Sequence, residues 1–172
     1  LIYVIGLTKA ELGGSEFFAY LGEKLRGERY IGNKVPRVEL ERARRRYMMV
    51  NQALTQEILS SIHSVGIGGL GVGLAKMSMA GELGAKIDLE MIPSESGLKS
   101  LELLFSESQS RFIVTIPPEL SKKFEEIFGY EDFALIGEVI SDPVLTFHRG
   151  GKEFCKIEIS RLKQSYKSTL GW

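Results

Sequence analysis

A chain of 172 residues, 44% hydrophobic and 26% charged, can close a real core and has the make-up of one ordinary globular domain. Lys plus Arg and Asp plus Glu number 22 each, so the net charge is zero and a general nucleic-acid binder is disfavoured. No apolar run approaches the roughly 20 residues that span a bilayer, no signal peptide is visible, and the single cysteine, Cys155, allows no disulfide within the chain and fits a reducing cytoplasm.

"LIYVIGL" (1–7) reads as a buried strand, because it is rich in β-branched and aromatic residues. So apolar a start, on Leu1 rather than Met, suggests a piece cut from a longer chain. "TKAELGGS" is a loop, and Ser15 is placed to cap a helix over "SEFFAYLGEKL". A second loop, "RGERYIGNKVP", leads past Pro36 to a long element. From Val38 to Ser61, Ala43, Tyr47, Val50, Leu54 and Ile58 recur every three or four residues and predict one buried helix face. Arg42, Arg45, Gln52 and Gln56 fall opposite, and the run "RARRR" (42–46) reads as solvated.

"SIHSV" (61–65) predicts a short strand, and "LGVGLAKMSMA" (70–80) a helix with Leu70, Leu74 and Met77 inward. In "AKIDLEMI" (85–92) apolar and polar residues alternate, which is the period of a strand. That strand carries Asp88 and Glu90 on one solvent-facing side. "SGLKSLELLF" is a short helix, "RFIVTIP" (111–117) a strand, and "PELSKKFEEIF" (118–128) an amphipathic helix with proline near its start. "FALIGEVI" (133–140) and "PVLTFHRGG" (143–151) read as consecutive strands joined at Ser141–Asp142. "FCKIEI" (154–159) follows a Gly150–Gly151 turn with Cys155 as a small buried hydrophobe, and "SRLKQSYKSTL" closes as a helix. Helices alternate with strands, but hairpins near the end favour a mixed sheet over a purely parallel one.

"HSVGIGGLGVGLAKM" (63–77) holds Gly66, Gly68 and Gly71 in the order G-x-G-x-x-G. A dinucleotide loop also needs an acid closing the second strand about 20 residues on, and Asp88 lies within its strand instead. No Gly-Lys-Ser/Thr follows, so a Walker loop is excluded. Two readings stay open: a phosphate cradle made by backbone N–H groups at a helix start, or a tight strand-to-helix turn without ligand.

Three segments in order carry a resemblance that covers most of the chain. "IHSVGIGGLGVGLAKMSMAGELGAKIDLEMIP" resembles the H-D-x-S-x-G-G-L-x-x-x-L-x-E-M stretch and the following strand of the C-terminal-type domain in the aminoimidazole ribonucleotide synthetase superfamily. "ELLFSESQSRFIVTIP" resembles its S-E-S-Q/H-x-R-F segment, and "LIYVIGLTKAELGGSEFFAYLG" its opening strand and G-G-S loop. Within the superfamily, the nearest likeness is to the phosphoribosylformylglycinamidine synthase II family. The fold this implies is α+β: a mixed, largely antiparallel sheet with packed helices, partly ferredoxin-like. The domain implied is 1–172, the second, C-terminal copy within a multidomain ligase.

That ligase uses ATP and Mg to turn formylglycinamide ribonucleotide into its amidine in purine synthesis. It works with a glutaminase subunit and a small accessory subunit. Selenophosphate synthetase, thiamine-phosphate kinase and hydrogenase-maturation proteins share the domain type, and a stand-alone nucleotide- or phosphate-binding module is the alternative of another class.

The loop departs from the family pattern. Ser64 follows His63 where Asp is usual, and Gly66 and Ile67 stand where Ser and a polar or acidic residue are usual. Without those carboxylates the loop is not expected to hold a metal. The resemblance thus implies a degenerate copy with no catalytic group and no cofactor requirement of its own. Its vestigial nucleotide-site candidates are Gly13, Gly14, Ser15, Gly68, Gly69, Glu107, Ser108 and Gln109. His63 reads as a hydrogen-bonded histidine at a strand end, and His148 as structural.

Overall fold

A computed structural model describes residues 1–169. The last residues of the closing segment, Leu170 onward, lie outside the described range. In chain order the elements are β1 (Ile2–Ile5), α1 (Glu16–Arg26), α2 (Leu40–Thr55), β2 (Ser61–Ser64), α3 (Gly69–Gly81) and β3 (Gly84–Asp88). There follow α4 (Ser100–Phe105), β4 (Phe112–Thr115), α5 (Ser121–Phe128), β5 (Phe133–Ile140), β6 (Val144–Arg149), β7 (Lys152–Glu158) and α6 (Ile159–Thr169). The strands form one sheet in the order β2-β4-β1-β5-β3-β6-β7. Every neighbouring pair is antiparallel except β3 with β6. This is the mixed, largely antiparallel α+β fold that the sequence predicts.

β1 explains the layering. Its side chains alternate between the two faces, and all four residues are buried. Ile2 and Val4 join one core with Leu70 and Leu74 of α3, Leu103 and Leu104 of α4, and Ile159 of α6. Tyr3 and Ile5 join another with Val50 and Ala53 of α2 and Phe124 and Phe128 of α5. Helices therefore cover both faces of the sheet around β1. Past β5 the second face turns polar, and Lys86, Glu138 and Lys156 lie exposed on it.

Several boundaries differ from the sequence reading. β5 and β6 follow each other along the chain but are not neighbours, because β3 inserts between them. The short link from Ser141 to Pro143 passes over the start of β3 at Gly84. A Cβ there would lie 2.0 Å from the Asp142 carbonyl oxygen, so only glycine admits the crossing. The expected hairpin survives only for β6 and β7. β3 stops at Asp88, whose Oδ1 accepts the Glu90 N–H at 3.0 Å and starts a 3-10 turn over Leu89–Met91. Asp88 and Glu90 therefore do not share a strand face.

α2 is shorter than expected. Glu57, at φ 55°, turns the chain out of the helix, and Ile58 is buried beyond its end. Tyr47 and Leu54 face outward, while Arg46, placed in the solvated run by sequence, is buried. Its guanidinium meets Glu131 at 3.2 Å and donates to the Ser110 carbonyl at 2.9 Å. A charge can be buried when a fixed partner neutralises it.

Candidate functional site

The three glycine- and acid-bearing segments singled out by sequence converge. Gly13-Gly14-Ser15 leads into α1, Gly68 and Gly69 lead into α3, and Glu107 to Gln109 follow α4. Each helix N-terminus leaves N–H groups without a partner in its own helix and is positive in character. One carboxylate oxygen answers both: Glu107 Oε1 accepts the Gly68 N–H at 2.9 Å and the Glu16 N–H at 3.1 Å.

Further donors among the candidate residues are also engaged. Gly13 N–H binds the Lys34 carbonyl at 2.8 Å, and Gly14 N–H the Ile31 carbonyl at 2.7 Å. Gly69 N–H binds the Gly66 carbonyl at 3.0 Å. Ser15 caps α1 as predicted, its Oγ accepting the Phe18 N–H at 3.2 Å while its hydroxyl donates to the Leu12 carbonyl at 2.6 Å. Ser108 Oγ accepts the Lys9 N–H at 3.0 Å, and Gln109 Nε2 donates to the Glu107 carbonyl at 3.1 Å. Gly69, at φ 65°, lets the loop press against the end of α4, where a Cβ would lie 2.6 Å from the Leu104 and Ser106 carbonyl oxygens. The N–H groups of Gly13, Gly14, Gly68 and Gly69 are thus each paired within the chain, and the Glu107 carboxylate joins the starts of α1 and α3.

Arg111 is the residue that sequence reasoning missed. It is fully buried beneath this cluster. Its Nε donates to the Ser108 carbonyl at 2.9 Å, one terminal nitrogen to Thr8 Oγ1 at 2.8 Å, and the other to the Ser106 carbonyl. Burial pushes its pKa down to about 10, against the opposing pull of the Glu11 and Glu107 carboxylates. The guanidinium thus ties the segment that aims Glu107 to Thr8 in the loop after β1. The arginine of "SESQSRF" was the available signal, but an arginine in sequence carries no mark of full burial.

The two histidines stand apart. His63 is half-buried and makes no side-chain hydrogen bond among the described residues, contrary to expectation. It packs under Gly73 of α3, where a Cβ would lie 3.1 Å from its ring. Burial lowers its pKa, as does Lys76 to a lesser extent. With Ile2, Leu74, Met77, Ile113 and Val139 it lines an apolar cleft of about 520 Å³ toward the other end of α3. His148 pairs in register with Asp88, and its Nδ1 is buried without a hydrogen-bond partner among the described residues. Cys155 is half-buried against the first core. Among the described residues no three His, Cys, Asp or Glu side chains are grouped to hold a metal ion, and no helix is long and apolar enough to cross a membrane.

Residues 1–149 match the family model described as AIR synthase related protein, C-terminal domain. The chain is 40% identical over 170 residues to a phosphoribosylformylglycinamidine synthase subunit PurL of Thermococcus gammatolerans. It is 36% identical over 169 residues to that of Thermococcus sibiricus. Each match takes in 98% of this chain but only 22% of the relative, so the chain spans about a fifth of the length of these proteins. A solved structure of T. maritima PurL complexed with FGAR shares the fold, with a TM-score of 0.79 at 20% identity, over 94% of this chain and 27% of that one.

Proposed function

The chain belongs to the AIR synthase related family, as a domain of its C-terminal type, and on that premise we propose that it is a structural domain of a phosphoribosylformylglycinamidine synthase of the PurL kind. Residues 1–172 form one domain of that multidomain ligase, working in the cytoplasm. The parent converts formylglycinamide ribonucleotide to the amidine with ATP and Mg. It takes ammonia from a glutaminase subunit and is accompanied by a small accessory subunit. This domain supplies shape rather than chemistry. Gly13, Gly14, Ser15, Gly68, Gly69, Glu107, Ser108 and Gln109 are the remains of a nucleotide site that the chain now fills itself. The observation that carries the reading is the Glu107 carboxylate on the N–H groups of both Gly68 and Glu16.

Thermal unfolding of the chain during titration with ADP and Mg, and separately with inorganic phosphate, tests this. The melting temperature stays unchanged if the site is self-filled. A live site adds about 2.7 kcal/mol of stability at 100 times its dissociation constant. A saturable rise of that kind would turn the assignment toward a stand-alone nucleotide-binding module.

A further inference from the structure

Helix α2 is apolar around more of its circumference than the sheet covers. Ala43, Val50 and Ala53 are buried on its sheet side. The adjoining strip, Leu40, Tyr47, Met48 and Leu54, is 76, 49, 63 and 47% exposed. Leu40, Tyr47 and Leu54 are seven residues apart and so lie on one line along the helix. Val38, half exposed, carries the strip past the helix start.

Arg44 lies within this strip, one turn from both Leu40 and Met48. Its neighbours are all engaged: Arg42 by Glu39 and Asp132, Arg45 and Arg46 by Glu131. Arg44 has no carboxylate partner among the described residues. Exposed Asn51 also falls within the strip, and an exposed, mainly apolar strip that holds one amide and an unpaired guanidinium has the make-up of an interface rather than of a solvated helix face.

We propose that this face of α2 is the docking surface for another domain of the same polypeptide, one that offers an apolar patch and a carboxylate opposite Arg44. The inference rests on reading the chain as one domain of a longer synthase. In the PurL relatives the matched region is 22% of the length, so ample chain remains to supply the occupant.

Oxidation of Met48 by hydrogen peroxide, read by peptide mass spectrometry, reports its cover directly. Both cores close within this chain, so the 172-residue chain alone is the reference, and the full-length gene product is the test. Met48 should oxidise at least tenfold more slowly in the full-length protein, and Arg44→Glu should restore much of the rate. Met91, exposed on the turn after β3, controls for general reactivity. Equal Met48 rates in the two proteins would overturn the docking surface and leave the domain assignment standing. Protection already present in the chain alone and lost on dilution would assign the face to a second copy, and overturn it too. A full-length product without synthase activity would sink the synthase reading, while Met48 protection would still stand as evidence of docking.

Discussion

The Glu107 carboxylate lies 2.9 Å from the backbone nitrogen of Gly68, a residue 39 positions away, and so supplies from within the chain the anion that the start of α3 favours. The same oxygen serves Glu16 at the start of α1, so one side chain ties two helices and the segment after α4 into a single unit.

Removing that carboxylate should loosen all three elements at once. Glu107→Ala leaves two N–H groups without their acceptor and should lower stability by about 2 kcal/mol, and Glu107→Gln by about 1 kcal/mol. Urea unfolding checks this through a lower midpoint at an unchanged slope.

The Arg46–Glu131 pair should be costly to break and cheap to replace. Both side chains are about 95% buried, at 6% and 4% exposure. Glu131→Ala leaves the Arg46 guanidinium with only Asp132 at 3.7 Å as a carboxylate partner and should cost about 3 kcal/mol, whereas the double change Arg46→Met, Glu131→Leu should recover most of it. Arg45, 61% exposed on the same carboxylate, should cost well under about 1 kcal/mol on truncation. A double-mutant cycle in urea measures the coupling.

Acid should weaken the fold through His63. Burial and Lys76 hold its pKa below the ordinary histidine value of 6.5. Between the folded value and 6.5 the unfolded chain binds more protons, so the stabilising contribution of neutral His63 is complete above 6.5 and is lost as pH falls. Unfolding free energies at pH 7.5 and pH 5 should differ less in His63→Phe than in the parent chain, and Lys76→Met should also reduce the slope. An unchanged slope in His63→Phe would place the acid sensitivity elsewhere.

Residues whose behaviour depends on near neighbours were legible without the structure. The β-branched and aromatic run of β1, the Ser15 cap, the inward Leu70 and Leu74 of α3 and the Gly150–Gly151 turn all follow from spacing and side-chain chemistry a few residues wide. The mixed sheet follows from the strand and helix pattern, and the family resemblance from three segments in order. The site candidates were legible as glycines and acids, but not their arrangement. Arg46 sits one position from Arg45 and reads like it. Glu131 and Asp132, 85 and 86 residues on, make its burial possible. β5 and β6 look like a hairpin because the link is short, and only packing reveals β3 between them. A helix start rich in glycine advertises N–H groups whether or not something answers them, and here the answer comes from Glu107. Periodicity reports how a side chain sits on its own helix or strand. What neutralises a charge or fills a cradle is a partner far along the chain, brought near only when the two cores close.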